Sequence, residues 1–257
     1  MVLKSRGNPN GLIRKTPLNG MCRLFAAISG VRQSFEEDLL YFRHLSSVHS
    51  DGWGIGWYYR NRPVVHKSSV TALYDPKYLT AARTIKSNMV VAHLRKQTRG
   101  NVREVNSHPF TLKNYLFAHN GTISKSLKYL IRGDYRGMQG DTDSEMLMHF
   151  LVQQIEDQRP LFGMRKAFRK IQKLNSNGEL DVTAVNFILT DGRTLYAYRK
   201  MYSRPQRLFY KYDENGHEKL QISSVPLQSR DWVEMGDGEM LIADVDTLKF
   251  RVLRIVH

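Results

Sequence analysis

The sequence has one cysteine and no long apolar run. With a single cysteine among 257 residues, no disulfide can form within the chain. Proteins without disulfides are typical of reducing compartments, so we expect a cytoplasmic protein. A membrane-spanning helix needs about 20 predominantly apolar residues, and no stretch here approaches that length. The sequence therefore excludes a disulfide-stapled domain and predicts no membrane association.

Acidic residues are also scarce. The chain has 24 Asp and Glu against 39 Lys and Arg, a formal net charge of +15. Residues 1–21 contain four of the cations and no acid, so without them the net charge is +11 (15 minus 4). Such a charge permits contact with nucleic acid. Net charge indicates how a protein associates with other molecules, and it does not indicate the fold. A solvated basic face is the interpretation that we favour.

Residues 1–21 differ from the rest of the chain. They lack the apolar core of a secretory signal and are rich in glycine, proline and basic residues. Four interpretations remain open: a disordered leader, a propeptide, a remnant of cloning, or a start codon assigned too early. The domain itself is expected to cover residues 22–257.

Neither a metal site nor a cofactor is predicted. The nine histidines show no paired spacing, and one cysteine cannot build a thiolate cluster. Gly52, Gly54 and Gly56 alternate instead of following the G-x-G-x-x-G pattern of a nucleotide-binding loop. Alternating glycines in a strand allow another backbone or a ligand to lie close.

The order of the predicted elements indicates two packed sheets with helices outside them. Helices are predicted after the capping boxes Ser34/Glu37 and Thr142/Glu145, after Asp75 and from Pro160. A two-residue hairpin turn is predicted at Asp191-Gly192. Strands are predicted at 22–29, through the glycines after Asp51, and at 64–67, 89–94, 115–119, 182–190, 194–199, 208–212, 220–223, 239–244 and 248–256.

The single cysteine, Cys22, directly follows Met21. If Cys22 became the first residue, its α-amine could take the thiol proton, so nucleophile and base would come from one residue. An α-amine has a pKa of about 7.7–8.0, so part of it is unprotonated near neutrality. The alternative interpretation is a small buried cysteine at the start of a strand.

Three polar groups lie where predicted strands end or helices begin, and they could form a site with Cys22. Asn120 and Gly121 could donate to an oxyanion, although Asn-Gly alone is typical of a turn. Arg95 could hold a carboxylate through two oxygens. Asp143 could hold an ammonium group. For Arg95 and Asp143 the alternatives are a surface ion pair and a charge at a helix start.

Six motifs in this order closely resemble the class-II glutamine amidotransferases. The motifs lie at 22–25, 51–57, 92–98, 106–110, 117–121 and 141–145, and the likeness extends to 223–227. This resemblance implies an α+β fold, the four-layer αββα sandwich of N-terminal nucleophile (Ntn) hydrolases. The chain is most similar to the stand-alone branch, which includes γ-glutamyl hydrolases of the ergothioneine pathway and glutathione-degradation subunits.

The resemblance implies a role for each matching residue. Cys22 corresponds to the nucleophile with its own α-amine as base, and Asn120 and Gly121 correspond to the oxyanion hole. Arg95 corresponds to the arginine that holds the glutamine α-carboxylate, and Asp143 to the aspartate that binds the α-amino group. Two further residues are implied to line the pocket, Thr98 and His108.

Two residues depart from the pattern of relatives that are fused to synthase domains. Lys96 stands where those relatives have tryptophan, and Gln97 stands where they have alanine. Lysine fits the stand-alone branch, whereas Gln97 leaves the packing of that loop open. His93 and His119 lie within strand patterns, so we expect structural roles for both.

Three functions follow from these observations. The leading one is a glutaminase that releases ammonia from glutamine through a cysteinyl thioester and passes it to an acceptor or synthase protein. The second is a hydrolase of γ-glutamyl amides or peptides by the same mechanism. The third is a basic binding module with a vestigial site, whose footprint would be the Arg165–Lys173 face. The expected partners are a small-molecule substrate, the acceptor protein and a second copy of the chain, while nucleic acid is disfavoured.

Overall fold

The computed structural model describes residues 22–97, 101–133, 137–213 and 218–255. Within these ranges the helices are α1 (Glu36–His44), α2 (Pro76–Thr84), α3 (Asp143–Glu156) and α4 (Pro160–Ser176). The strands are β1 (Arg23–Ser34), β2 (Trp53–Tyr59), β3 (Arg62–Ser68), β4 (Lys86–Leu94), β5 (Phe110–Leu112), β6 (Tyr115–Ile123), β7 (Val182–Thr190), β8 (Thr194–Arg199), β9 (Phe209–Asp213), β10 (Lys219–Ser223), β11 (Val233–Glu234), β12 (Glu239–Asp244) and β13 (Phe250–Arg254).

The strands form two sheets. The first sheet has the strand order β11-β9-β10-β1-β4-β2-β3, and the second has the order β13-β12-β8-β7-β6-β5. Neighbouring strands pair antiparallel throughout, as between β1 and β4 or between β6 and β7. Strand β1 is therefore central to its sheet, with β10 on one side and β4 on the other.

Alternation along the strands separates the molecule into four layers, because successive side chains of a strand point to opposite faces. Leu24 and Ala26 of β1 and Ala118 of β6 belong to the core between the two sheets. Phe25 faces the opposite way and packs with α1 and α2. The outer face of the second sheet packs against α3 and α4. This arrangement confirms the predicted αββα sandwich.

Two of the predicted helix starts are confirmed by their side-chain caps. Asp75 accepts a hydrogen bond of 2.9 Å from the backbone N–H of Lys77, and Pro76 occupies the first turn of α2. Thr142 accepts from the backbone N–H of Glu145 at 3.2 Å and so caps α3. The carboxylate of Glu145, however, accepts from the backbone N–H groups of Gln139 and Gly140 instead of closing the capping box.

Three local predictions were wrong: the cap of α1, the end of β1 and the length of the turn between β7 and β8. The N-cap of α1 is Phe35, and Ser34 still belongs to β1, where its hydroxyl accepts from the backbone N–H of Glu36. β1 thus runs to Ser34, five residues beyond the predicted end, because its outer half pairs with the start of β4. The hairpin loop between β7 and β8 has three residues instead of two, 191–193, and the Asp191 carboxylate accepts from the N–H groups of Arg193 and Thr194.

Candidate functional site

The pairing of β1 with β4 brings several polar residues of the first sheet together at one end of the sandwich. In the pairing of β1 with β4, Arg23 lies opposite Leu94, so the start of one strand meets the end of the other. Val91 and Leu24 face the space between the sheets. By the two-residue period, His93 shares this inner face with Val91, and Arg95 and Cys22 continue it just beyond the strand ends.

The thiol of Cys22 is bracketed by the main chain of Lys96. The backbone N–H of Lys96 donates to Sγ at 3.1 Å, and Sγ is 3.2 Å from the Lys96 carbonyl oxygen, to which the thiol donates. Burial raises the pKa of the Cys22 thiol, although the Lys96 amide and the charges of Arg95 and Arg23 act in the opposite direction. In this chain, where its nitrogen is part of a peptide bond, the sulfur is therefore held as a neutral thiol.

Asn120 reaches Cys22 from the second sheet. Its Nδ2 donates a hydrogen bond of 2.7 Å to the carbonyl oxygen of Cys22, and its Oδ1 lies 3.2 Å from Nε2 of His93. Asn120 and Gly121 lie within β6, paired with Asn186 and Val185 of β7. The plain-turn interpretation of Asn-Gly is thus wrong, and the side-chain amide is fixed beside the cysteine.

Gly121 is required by its surroundings. Its φ of +144° lies in a region that L side chains rarely adopt. A Cβ at this position would also stand 2.0 Å from the carbonyl oxygen of Ala184 on the neighbouring strand. Because position 121 is a glycine, β6 can stay paired with β7 at the residue that directly follows Asn120.

Arg95 is buried and surrounded by negative groups. It is 4% exposed, and its Nη1 donates to the carbonyl oxygen of Asn101 at 3.0 Å. Burial lowers the pKa of its guanidinium, while the charges of the Cys22 thiolate form, Asp51, Asp141 and Asp143 raise it. The Arg95 guanidinium thus lies within electrostatic range of both the thiol and Asp143.

Asp51 fixes the loop that carries Arg95 and Lys96. Its carboxylate accepts from the backbone N–H of Gln97 at 2.8 Å, and its own N–H donates to the Arg95 carbonyl. Burial alone would raise the pKa of Asp51, but hydrogen bonds from Gln97 and Ser50 lower it. Asp51 therefore holds both sides of the loop, Gln97 through its carboxylate and Arg95 through its backbone N–H, and Gln97 contributes through its main chain.

Asp143 is the first residue of α3, and only one of its two carboxylate oxygens accepts a hydrogen bond from the described residues. Its Oδ2 accepts from the backbone N–H of Ile123 at 2.8 Å, which ties the helix start to the end of β6. Within the described ranges Oδ1 accepts no hydrogen bond, although the residue is only 4% exposed. A carboxylate oxygen with free acceptor capacity on a buried residue fits the binding of an ammonium group.

The remaining two predicted pocket residues differ in what the structure says of them. His108 is 6% exposed, and its Nδ1 lies 3.0 Å from Nε2 of His93, so it stands behind the His93–Asn120 contact. Its role in lining the pocket stays a prediction. Thr98 lies outside the described residues, and its role stays a prediction as well.

Sequence reasoning missed three contributors to the site. The main chain of Lys96 brackets the thiol, and a backbone role leaves no mark on a side-chain pattern. Ser224 binds both sides of Leu24, since its hydroxyl accepts from the Leu24 N–H and its own N–H donates to the Leu24 carbonyl. We expected a structural role for His93, which contacts Asn120 in the structure. Its spacing of two from Arg95 places both residues on the same inner face, and this spacing could have predicted that His93 lies at the site.

The alternating glycines of β2 fulfil the sequence expectation of a close approach. A Cβ on Gly54 would stand 2.1 Å from the carbonyl oxygen of His108, and one on Gly56 would stand 2.8 Å from Pro109. The segment 108–109 therefore lies directly on the strand. This contact places His108 against His93, the residue opposite Gly54 in the sheet.

Neither a metal site nor a membrane-spanning helix is found in the part of the chain that the structure describes. No group of three or more His, Cys, Asp or Glu residues is arranged to hold a metal ion in those ranges. Over the same ranges, no helix is long and apolar enough to cross a membrane.

The basic face of α4 lies on the outside of the molecule. Arg165 is half-buried, and the other cations of this face are exposed: Lys166, Arg169, Lys170 and Lys173. None of the five takes part in an ion pair among the described residues. The face is exposed to solvent, and the exposed side chain of Phe162 precedes Arg165 and Lys166 by one helical turn on it.

Comparison with known families assigns the class of protein. The family model described as "Glutamine amidotransferases class-II" matches residues 21–228. The chain belongs to this family, which is a family of enzymes.

Three relatives illustrate the range of the family. An uncharacterized protein of Methanocaldococcus jannaschii is 29% identical over 86% of this chain and 69% of its own length. "Putative glutamine amidotransferase YafJ" of Escherichia coli is 35% identical over 58% of this chain, and the match spans only 60% of that protein. The "Gamma-glutamyl-hercynylcysteine sulfoxide hydrolase" of Mycobacterium tuberculosis is 30% identical over 31% of this chain and 35% of its length.

Solved structures share the fold. A glutamine aminotransferase class-II domain protein from Silicibacter pomeroyi superposes with a TM-score of 0.68 at 20% identity, covering 92% of this chain and all of that one. The glutamine PRPP amidotransferase of B. subtilis superposes with a TM-score of 0.67 at 17% identity, covering 91% of this chain and 49% of that one. These neighbours confirm the Ntn-type sandwich.

Proposed function

We propose that the chain is a glutaminase that releases ammonia from the side-chain amide of glutamine through a thioester on Cys22. The observation that carries the proposal is the meeting of the only cysteine with the Asn120 amide, 2.7 Å from the Cys22 carbonyl, beside buried Arg95. A nucleophile, an oxyanion donor and a carboxylate partner then lie at one end of the sandwich.

The reaction begins with substrate binding. Arg95 pairs with the α-carboxylate of glutamine, because a guanidinium can hold both oxygens at once. The free Oδ1 of Asp143 accepts from the α-ammonium. Binding at both groups directs the side-chain amide toward Cys22 and restricts the substrate to compounds with a free α-amino acid end.

The chemical steps follow from an N-terminal Cys22. In a chain that begins at this residue, the α-amine takes the thiol proton and the thiolate attacks the amide carbon. The resulting oxyanion accepts from the second N–H of the Asn120 amide and from the backbone N–H of Gly121. Collapse expels ammonia, which takes the proton from the amine. Water then adds to the thioester and releases glutamate.

A hydrolase of γ-glutamyl amides or peptides is the second candidate. The M. tuberculosis relative is named for a γ-glutamyl substrate, although it matches less than a third of this chain. The two functions share the α-amino acid end and differ only in the group attached to the γ-carbonyl. Transfer of ammonia to an acceptor protein belongs to the first candidate alone.

One assay tests the proposal and separates these candidates. The chain beginning at Cys22 is incubated with glutamine and with a panel of γ-glutamyl compounds, and glutamate release is measured. We expect turnover of glutamine. Turnover of γ-glutamyl compounds with glutamine inert favours the hydrolase, and no glutamate from any of them contradicts both.

A further inference from the structure

Two buried histidines take no part in the steps of the proposed reaction. His93 and His108 are 0% and 6% exposed, and their rings meet edge-on with centroids 4.2 Å apart. Nε2 of His93 lies 3.2 Å from Oδ1 of Asn120 and 3.0 Å from Nδ1 of His108. Nδ1 of His93 and Nε2 of His108 have no hydrogen-bond partner among the described residues.

The orientation of the Asn120 amide determines which nitrogen of His93 carries the proton. The Cys22 carbonyl is an acceptor, so the group facing it at 2.7 Å must be the donor Nδ2. Oδ1 then faces His93, and a lone pair on Nε2 would repel it. Nε2 of His93 is therefore the protonated nitrogen, and its N–H is shared between Asn120 and His108.

The position of the proton on His108 follows from that on His93. Since His93 supplies the proton between the two rings, Nδ1 of His108 accepts, and its own proton is on Nε2. Burial lowers the pKa of His93 to about 3 and holds that of His108 well below its ordinary value, so both rings are neutral at neutral pH.

We propose that His93 is a positioning residue for the oxyanion hole. Its Nε2–H holds Oδ1 of Asn120, so that the NH₂ group of the amide faces Cys22, and Nδ1 of His108 accepts from the same N–H. Without this N–H the amide could rotate and present its oxygen to the developing oxyanion. The inference rests on the proposed function for its effect on turnover, but the tautomers can be observed without any reaction.

The direct test is nitrogen NMR of the full chain with ¹⁵N-labelled histidine at neutral pH. We expect both His93 and His108 as neutral rings protonated on Nε2, assigned by the loss of each signal in His93→Gln and His108→Asn. A His93 ring protonated on Nδ1, or a charged ring, overturns the inference. This result does not depend on whether glutamine is a substrate.

The kinetic test uses matched variants of the chain that begins at Cys22. Removal of an oxyanion-hole donor costs about 10²–10³ in kcat, so we expect His93→Leu to lower kcat for glutamine by about 10- to 100-fold with little change in KM. His93→Gln places an N–H near the position of Nε2 and should recover most of the loss. Equal losses in the two variants overturn the positioning role.

A double-mutant cycle separates positioning from a general structural role. In an Asn120→Ala background there is no amide left to orient, so His93→Leu should cost less than about threefold in kcat. A full additional loss there overturns the inference. If the wild-type chain releases no glutamate from any γ-glutamyl compound, the proposed function fails, and the NMR result alone decides the tautomers.

Discussion

Asn120 lies in one sheet and Cys22 immediately precedes a strand of the other, 98 residues away in the sequence, yet the side-chain amide of Asn120 donates to the main-chain carbonyl of Cys22 at 2.7 Å. The contact bridges the two sheets at the end where β1 begins. It connects the only cysteine to a buried polar group.

Cys22 should be essential for turnover and dispensable for folding. In the chain that begins at residue 22, Cys22→Ala should abolish glutamate release, because no other thiol is present. Cys22→Ser should retain little activity, since a hydroxyl is hardly ionised by an amine of near-neutral pKa. Steady-state glutamate release and thermal unfolding measure the two effects. Turnover like that of the wild type in Cys22→Ala would refute the thioester mechanism.

Arg95 should determine how tightly the α-carboxylate is held. Arg95→Lys keeps the charge but loses the planar two-pronged contact. A hydrogen bond to a charged group is worth about 1.5–3 kcal/mol, so we expect KM for glutamine to rise by about 10- to 100-fold. Lys96→Arg is the matched control, because Lys96 acts on the thiol through its main chain. An unchanged KM in Arg95→Lys would show that the carboxylate binds elsewhere.

The thiol of the full chain should react only at high pH. Burial raises the pKa of Cys22 above the usual 9.0 of a cysteine, so the thiolate that an alkylating reagent needs appears only above that pH. The rate of iodoacetamide alkylation should still be rising at pH 9. A chain that begins at Cys22 has an ammonium group beside the sulfur, which favours the thiolate, and its rate should rise at lower pH. Identical profiles for the two chains would argue against this electrostatic account.

Gly54 should be required for the packing of the site. A Cβ there would stand 2.1 Å from the His108 carbonyl, whereas a Cβ on Gly137 would meet no atom of the described residues within 4 Å. Gly54→Ala should lower the free energy of unfolding by about 1–3 kcal/mol or more through overpacking. Gly137→Ala should change it by less than about 0.5 kcal/mol. Urea denaturation measures both, and equal effects would refute the close contact.

The sequence predicts most of the elements because their local patterns are strong. The strand at 239–244 and the Asp75 cap of α2 match the structure, since both depend on neighbouring residues alone. The order of the strands in the sheets could not be predicted, because β10 pairs with β1 across nearly two hundred residues. No short-range pattern records such a pairing.

The candidate site was predictable only in part. A shared location for Cys22, Asn120 and Arg95 could be predicted from residue type and motif order. The two hydrogen bonds between the main chain of Lys96 and the thiol could not be predicted, because almost any residue offers the same backbone N–H and carbonyl. The contact between His93 and His108 depends on how 108–109 lies against Gly54, which only the tertiary structure reveals.

The central claim is that Cys22 attacks the glutamine amide with its own α-amine as base. When residue 21 is attached, the nitrogen of Cys22 is an amide without a basic lone pair, so only a chain that begins at Cys22 should react. The most direct measurement is intact-mass analysis of both chains after brief mixing with glutamine and acid quenching, alongside the rate of glutamate release. We predict a γ-glutamyl group on the chain that begins at Cys22 and none on the full chain. Equal turnover by a full chain that still carries residues 1–21 would contradict the claim and require another base.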